Sequence, residues 1–168
     1  MNNNITRNLL RFVLLVLLQV TLFNHINFSG FINPYPYLLY VALFPISGNR
    51  SLLLFSSFLL GLSVDMFANS GGVHAAACLI IAFLRPVVLR FSFGVSYEYN
   101  TVKLSKVTLA ERFVYLSILT LIHHFVLFSL EIFNVSDILL ILKNALSSSI
   151  FTIILSLIFV TLFSVKRS

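Results

Sequence analysis

Long apolar runs, separated by short polar segments, constrain the fold of this chain more than any other feature. Six runs cover about residues 9–28, 35–46, 51–67, 72–91, 109–133 and 138–165. Charged residues make up only 10% of the 168 residues, whereas an ordinary soluble domain carries about 25%. Such runs are typical of membrane helices, which need roughly 20 apolar residues to span the hydrocarbon core. The sequence therefore predicts one domain over residues 1–168, an all-α integral membrane protein with six transmembrane helices in one compact bundle.

The second run, residues 35–46, is the weakest candidate span, because it offers about 12 residues where roughly 20 are usual. The distribution of basic residues indicates that it crosses nonetheless. With six spans and a cytoplasmic amino terminus, ten of the eleven Lys and Arg residues lie on the inner side and only Lys143 lies outside, as the positive-inside rule favours. Both termini are therefore expected in the cytoplasm. If the second run did not cross, Arg50 and the basic cluster from Arg85 to Arg112 would lie outside.

Two local signals mark helix boundaries. Thr108-Leu109-Ala110-Glu111 matches a capping box, in which the Thr and Glu side chains bond to free backbone N–H groups of the first turn, so the fifth helix is predicted to start there. Pro86 interrupts the fourth run, and that helix is predicted to kink or end near Arg85.

The sequence lacks the residue patterns of several functional classes. It contains no Gly-x-Ser-x-Gly elbow, no phosphate-binding glycine loop and no paired carboxylates within the runs, so no catalytic residue is assigned and an enzyme is not expected. His74 and the single cysteine, Cys78, have metal-ligand spacing, but two ligands make no site, so we expect neither a metal nor a cofactor. The net charge of +6 follows the membrane topology, so no nucleic-acid partner is expected.

A carboxylate and a glycine pair lie between the third and fourth runs. An ionised Asp at the centre of a membrane helix costs roughly 2.5–3.5 kcal/mol, so Asp65 needs a partner or a structural use. One interpretation is a carboxylate that binds a substrate, an ion or a partner in a recess opening outward. The other is that Asp65 accepts hydrogen bonds from backbone N–H groups of residues 69–73, in a turn that two glycines permit. The structural or partner-binding candidates are Asp65, Asn69, Gly71, Gly72 and His74.

Small and polar residues inside the runs are predicted to act in helix packing. Small residues at four-residue spacing let helix backbones approach closely. Those of this chain are Ser57 and Gly61 in the third run and Ser148, Thr152 and Ser156 in the sixth. His123 and His124 are adjacent, so they point about 100° apart on a helix and are not expected to share one ligand. One of them is expected to face the bundle or a neighbouring helix, with a proton relay as the alternative.

The stretch from Gly61 to Ala77 resembles the signature of the rod shape-determining protein MreD family of bacteria. The resemblance rests on the chain length, the hydropathy profile, prolines at both ends of the second run, and the residues Gly61-Leu62, Asp65, Gly72 and His74-Ala75. It implies a non-enzymatic inner-membrane scaffold of the cell-elongation machinery, which builds the lateral peptidoglycan wall. It further implies binding to an MreC-like single-span periplasmic protein and to other membrane proteins of the elongation complex, within the lipid bilayer.

The MreD fold is similar to that of the substrate-binding subunits of energy-coupling-factor transporters, which are six-helix membrane proteins. This similarity defines the alternative function, a substrate-binding membrane subunit of a vitamin or micronutrient transporter. Such a subunit needs a polar, aromatic pocket near the outer face, for which the sequence offers Asp65, Asn69, His74 and either Tyr35 or Tyr37. An enzyme acting on lipid intermediates would be a third class, and the sequence offers no catalytic constellation for it.

Overall fold

The regular structure of the chain is helical throughout the part that the computed structural model describes, which is residues 3–26, 33–94 and 107–165. Short 3-10 turns occur at Phe23–His25, at Pro36–Leu38 directly before α2, and at Val135–Asp137 directly before α6. The α-helices are α1 (Asn3–Thr21), α2 (Leu39–Ala42), α3 (Arg50–Ala68), α4 (Val73–Phe93), α5 (Leu109–Ile132) and α6 (Ile138–Val165).

Five of these helices, α1 and α3 to α6, are long and apolar enough to cross a membrane. This finding confirms the predicted all-α, multi-pass membrane protein. The ends of α3 to α6 lie within two residues of the predicted ones. The first helix was predicted over residues 9–28, whereas α1 begins at Asn3 and ends at Thr21.

The two predicted boundary signals have different outcomes. The capping box is confirmed, because the Thr108 hydroxyl accepts from the Glu111 N–H at 3.2 Å and the Glu111 carboxylate accepts from the Thr108 N–H at 2.9 Å. The predicted end of the fourth helix near Arg85 is not observed, because α4 continues through Pro86 to Phe93. Proline removes one backbone N–H but leaves the rest of the helical ladder, a loss that packed membrane helices tolerate.

The second apolar run forms a much shorter helix than the predicted 35–46. One 3-10 turn leads into α2, which has four residues and ends at Ala42, with Leu43 as its C-cap. Pro36 supplies the fixed φ of a first turn, while Pro45 disfavours helical geometry in the residue before it. The segment is buried along its length, and Tyr37 and Val41 have no exposed surface.

The carbonyl end of α2 is satisfied by side chains. The guanidinium of Arg85, on α4, donates to the carbonyl oxygens of Phe44 and Ala42 and, through Nε, to the hydroxyl of Tyr115 at 3.1 Å. That hydroxyl donates to the Ala42 carbonyl at 3.0 Å. Since the last carbonyls of a helix have no partner within it, Arg85 and Tyr115 allow α2 to end inside the protein. The cation also interacts favourably with the negative end of the helix dipole.

The segment containing α2 runs antiparallel to α1. Gln19, near the end of α1, donates through Nε2 to the Pro34 carbonyl at 3.4 Å. Arg11, eight residues earlier, donates to the Leu43 carbonyl at 2.8 Å. The chain thus returns along α1 to the level of Arg11 before α3 begins, although α2 itself has only four residues.

Replacing Arg85 with Met is expected to destabilise the protein, because the Phe44 carbonyl loses its charged donor at a cost of about 1–3 kcal/mol. Cys78 is the only cysteine and is buried, so the reaction of its thiol with a fluorogenic maleimide during heating in detergent reports unfolding. Arg90→Met removes the same charge from an exposed position on α4. It should lower the midpoint temperature of unfolding less than Arg85→Met does. Equal midpoints for Arg85→Met and the wild type would contradict the assigned role.

Candidate functional site

The carboxylate of Asp65, in the last turn of α3, caps the first turn of α4. It accepts hydrogen bonds from the backbone N–H groups of His74 at 3.1 Å and Ala75 at 2.8 Å, and from the Ser70 hydroxyl at 2.6 Å. The side chain is buried, with 4% of its surface exposed. The structural interpretation from the sequence placed the donors at residues 69–73. The donating N–H groups lie just beyond that range, because the turn carries the chain past the carboxylate before α4 begins.

The turn between α3 and α4 depends on three residues with positive φ. Asn69 has a φ of 52°, and Gly71 and Gly72 have φ values of 69° and 98°. Glycine adopts this region without a steric penalty, and Asn tolerates it better than most residues. Asn69 ends α3, its N–H donates to the Asp65 carbonyl, and its side chain is exposed. Gly71 and Gly72 therefore serve the backbone of the turn that Asp65 closes.

The same joint brings α3 and α4 into close contact at Gly61. A Cβ at this position would collide with the backbone of His74 and Ala75. Ser57, one turn earlier, is fully buried. Gly61 of the predicted packing set thus lies at a close helix approach, on the turn of α4 that Asp65 caps.

A buried polar chain begins at His74, whose backbone N–H belongs to this cap. The hydroxyl of Tyr37 lies 2.8 Å from Nδ1 of His74 and 2.8 Å from Nε2 of His123. Tyr37 and His123 have no exposed surface, and 6% of His74 is exposed. The sequence singled out both histidines but not their connection, since the three residues lie on α4, on α5 and in the turn before α2.

His124 joins a second buried group of polar atoms. Its Nδ1 lies 2.9 Å from the Thr120 carbonyl, and its Nε2 lies 3.2 Å from the Thr152 hydroxyl. The backbone N–H of Tyr35 donates to that hydroxyl at 3.0 Å. Both His123 and His124 therefore face protein, whereas the sequence led us to expect this of one. Thr152 belongs to the predicted packing set on α6 together with Ser148 and Ser156, and all three side chains are fully buried.

A recess of about 540 Å³ opens at the Asp65 end of the helices. Of the pocket residues that the sequence offered, Tyr35 and His74 line it, whereas Asp65 is turned into its cap, Asn69 is exposed, and Tyr37 is buried. The polar part of the wall consists of Asn24, His25, Asn33, Ser70, His74 and Glu131. Sequence reasoning missed Asn24 and Glu131 as wall residues because nothing in their local pattern sets them apart from loop and interface residues.

Within the described residues, no group of three His, Cys, Asp or Glu side chains has the geometry of a metal site. Cys78 is fully buried as a free thiol. The polar side chains of the recess can donate and accept hydrogen bonds, and they lie next to a buried histidine–tyrosine chain. This arrangement suits the binding of a ligand or the packing of helices.

Fold and site together define a multi-pass, all-α membrane protein with a capped α3–α4 joint beside a polar recess. A scan against protein-family models found no match for this chain, and searches of curated proteins and of solved structures found none either. The resemblance around Asp65 therefore rests on the residues of the chain alone.

Replacing Asp65 should reveal its capping role in stability. Leu removes every acceptor and leaves buried N–H groups unpaired, which is expected to cost about 2–3 kcal/mol, whereas Asn keeps one acceptor and should cost about 1 kcal/mol. Maleimide labelling of Cys78 during heating gives the midpoint temperature of unfolding for both variants. Asp137→Leu alters an exposed carboxylate before α6 and serves as the control. Wild-type midpoints for both Asp65 variants would refute the cap.

Proposed function

We propose that the protein is a non-enzymatic scaffold of the bacterial cell-elongation machinery, in the inner membrane, and that it binds an MreC-like single-span periplasmic protein. The observation that supports this most is that the residues carrying the MreD resemblance meet in one joint. Asp65 caps α4 through the N–H groups of His74 and Ala75. Gly61 lets the backbone of the same two residues approach α3 closely. Gly72 adopts the positive φ that the turn requires. The resembling residues thus form a single structural unit, which holds one end of α3 and α4 rigid for a partner.

The outer surfaces of the long helices suit a scaffold embedded in lipid. Large apolar side chains on α1 and α6 are exposed, among them Leu9, Leu14, Leu139, Leu146 and Ile154. A transmembrane helix of a partner, or of another elongation protein, could pack against such faces, because helix association in lipid depends on close packing and local hydrogen bonds. Faces not covered by partners would contact lipid chains.

The proposal includes six membrane passes with both termini in the cytoplasm. Ten of the eleven Lys and Arg residues then lie on the inner side. The return of the chain along α1, between Pro34 and Leu43, supports the second pass although α2 is short.

This topology predicts the accessibility of single cysteines in cells after Cys78 is replaced by Ala. Cysteines at Asn69 and Asn134, both exposed beside the outer ends of helices, should react with an impermeant maleimide. A cysteine at Ser51, exposed in the first turn of α3, should react only after the cells are opened. The reverse pattern would reject the six-pass topology, because it would result from an inverted protein or from a second run that does not cross.

The scaffold role predicts that depletion in the native rod-shaped host rounds the cells before bulk growth stops. A photo-crosslinking amino acid at His25 or Asn69, both exposed at the Asp65 end, should capture the MreC-like partner. The same amino acid at Ser51, at the opposite end of α3, is the matched control and should capture it less. Rods that persist under depletion, with no capture at either outer position, would overturn the proposal.

The recess supports the alternative, a substrate-binding membrane subunit of a vitamin or micronutrient transporter. Its volume of about 540 Å³ falls within the usual 300–1,000 Å³ range of small-molecule sites. Vitamin uptake that depends on this protein, in cells that remain rods without it, would favour this function over the scaffold.

A further inference from the structure

The wall of the recess includes one carboxylate among its described residues. Glu131, near the end of α5, lines the recess. Across the described parts of the chain, its carboxylate has no ion pair or hydrogen bond. The carboxylate of Asp65, which does not line the recess, already accepts hydrogen bonds from three donors. Glu131 is exposed, and among the described residues of the wall it is the only acidic side chain, with no Lys or Arg beside it. The recess therefore favours a positive charge.

The position of the proton on the ring of His74, which also lines the recess, is determined by the buried chain that His74 joins. The Tyr37 hydroxyl has one proton and lies between Nδ1 of His74 and Nε2 of His123. It can donate to only one of these nitrogens, so the other must carry a hydrogen and donate to the Tyr37 oxygen. The tautomers of the two histidines are thus linked.

The unpaired nitrogen of His123 selects one of the two arrangements. Its Nδ1 is buried and has no partner among the described residues. A buried N–H without an acceptor is rarer in proteins than an acceptor without a donor, so the hydrogen of His123 belongs on Nε2. His123 then donates to Tyr37. The Cys78 thiol also lies within hydrogen-bonding reach of the Tyr37 hydroxyl, but sulfur is a much weaker acceptor than an imidazole nitrogen. Tyr37 therefore donates to Nδ1 of His74, and His74 carries its own hydrogen on Nε2. Because His74 lines the recess, Nε2 is the ring nitrogen left to donate to a ligand.

We propose that the recess binds a small organic amine that also carries a hydroxyl or carbonyl oxygen. The ammonium group pairs with Glu131, and the oxygen accepts a hydrogen bond from Nε2 of His74. Tyr37 and His123 are positioning residues, since they fix the tautomer of His74 without touching the ligand. The inference rests on neither proposed function, because a scaffold and a transporter subunit could each hold such a ligand.

The tautomer is tested first, in nanodiscs, on protein labelled with ¹⁵N in the histidine rings and assigned with variants that lack one histidine each. Protonated and unprotonated ring nitrogens give separate ¹⁵N signals. We expect the hydrogen of His74 on Nε2 in the wild type and a mixture of tautomers in Tyr37→Phe. A wild-type His74 that carries its hydrogen on Nδ1 would overturn the positioning role.

Binding is tested on the same protein with glucosamine and ethanolamine as amine probes and with glucose as the uncharged counterpart of glucosamine. We expect the His74 signals to shift saturably with an amine below about 10 mM, and not with glucose. Glu131→Gln should weaken binding at least about fivefold, whereas Asp137→Asn, which removes an acidic group outside the recess, should leave it unchanged. Tyr37→Phe should weaken it roughly two- to tenfold.

Each other outcome counts against the site. The recess has no amine site if the His74 signals do not shift saturably with either amine, or if glucose binds as tightly as glucosamine. The same holds if the Glu131→Gln variant binds an amine as tightly as the wild type does. Equal losses in Glu131→Gln and Asp137→Asn would show attraction by surface charge in place of a defined site. These results leave cell shape and partner crosslinking untouched, so failure here is distinguishable from failure of the scaffold proposal.

Discussion

The need to satisfy backbone groups away from water governs the structure at two helix ends. Lipid offers no hydrogen bonds, so every helix end within it needs a partner from the protein. Asp65 provides acceptors for the first N–H groups of α4, and Arg85 provides donors for the last carbonyls near α2. An anion at a helix N-terminus and a cation at a C-terminus both oppose the local helix dipole. Two of the few charged residues of the chain are thereby explained by backbone chemistry.

The burial of α2 follows from the same constraint. A helix of four residues has almost no internal hydrogen bonds, so it depends on neighbours for both packing and polar partners. Its surroundings provide apolar contact along its whole length and donors at its end, from Arg85 and, at Leu43, from Arg11. The chain can therefore cover the distance between Pro34 and Leu43 with little regular helix.

The long helices and the Asp65 cap were predictable from the sequence because both are local signals. Apolar runs specify α3 to α6 to within two residues at each end, and a carboxylate followed by two glycines indicates a capped turn. The length of α2 was not predictable, because it depends on donors from α1 and α4. The link from Tyr37 to His123 joins residues 86 positions apart, and no periodicity encodes such a pairing. Of the two tyrosines offered for an outer pocket, Tyr35 lines the recess, whereas Tyr37 is buried in this chain of contacts.

The distribution of polar groups makes the arrangement of the helices specific. Lipid-facing and protein-facing apolar side chains are chemically alike, so hydrophobicity alone distinguishes poorly between alternative helix arrangements in a membrane. Hydrogen bonds between named atoms do distinguish them, since a rotated helix would leave buried groups unpaired. Tyr37 with two histidines fixes α4 and α5 relative to the segment before α2, and Thr152 with His124 fixes α6 against α5. Both groups of contacts reach the wall of the recess, the first through His74 and the second through Tyr35, whose N–H donates to Thr152. The polar atoms that orient the helices therefore also determine which groups the recess presents.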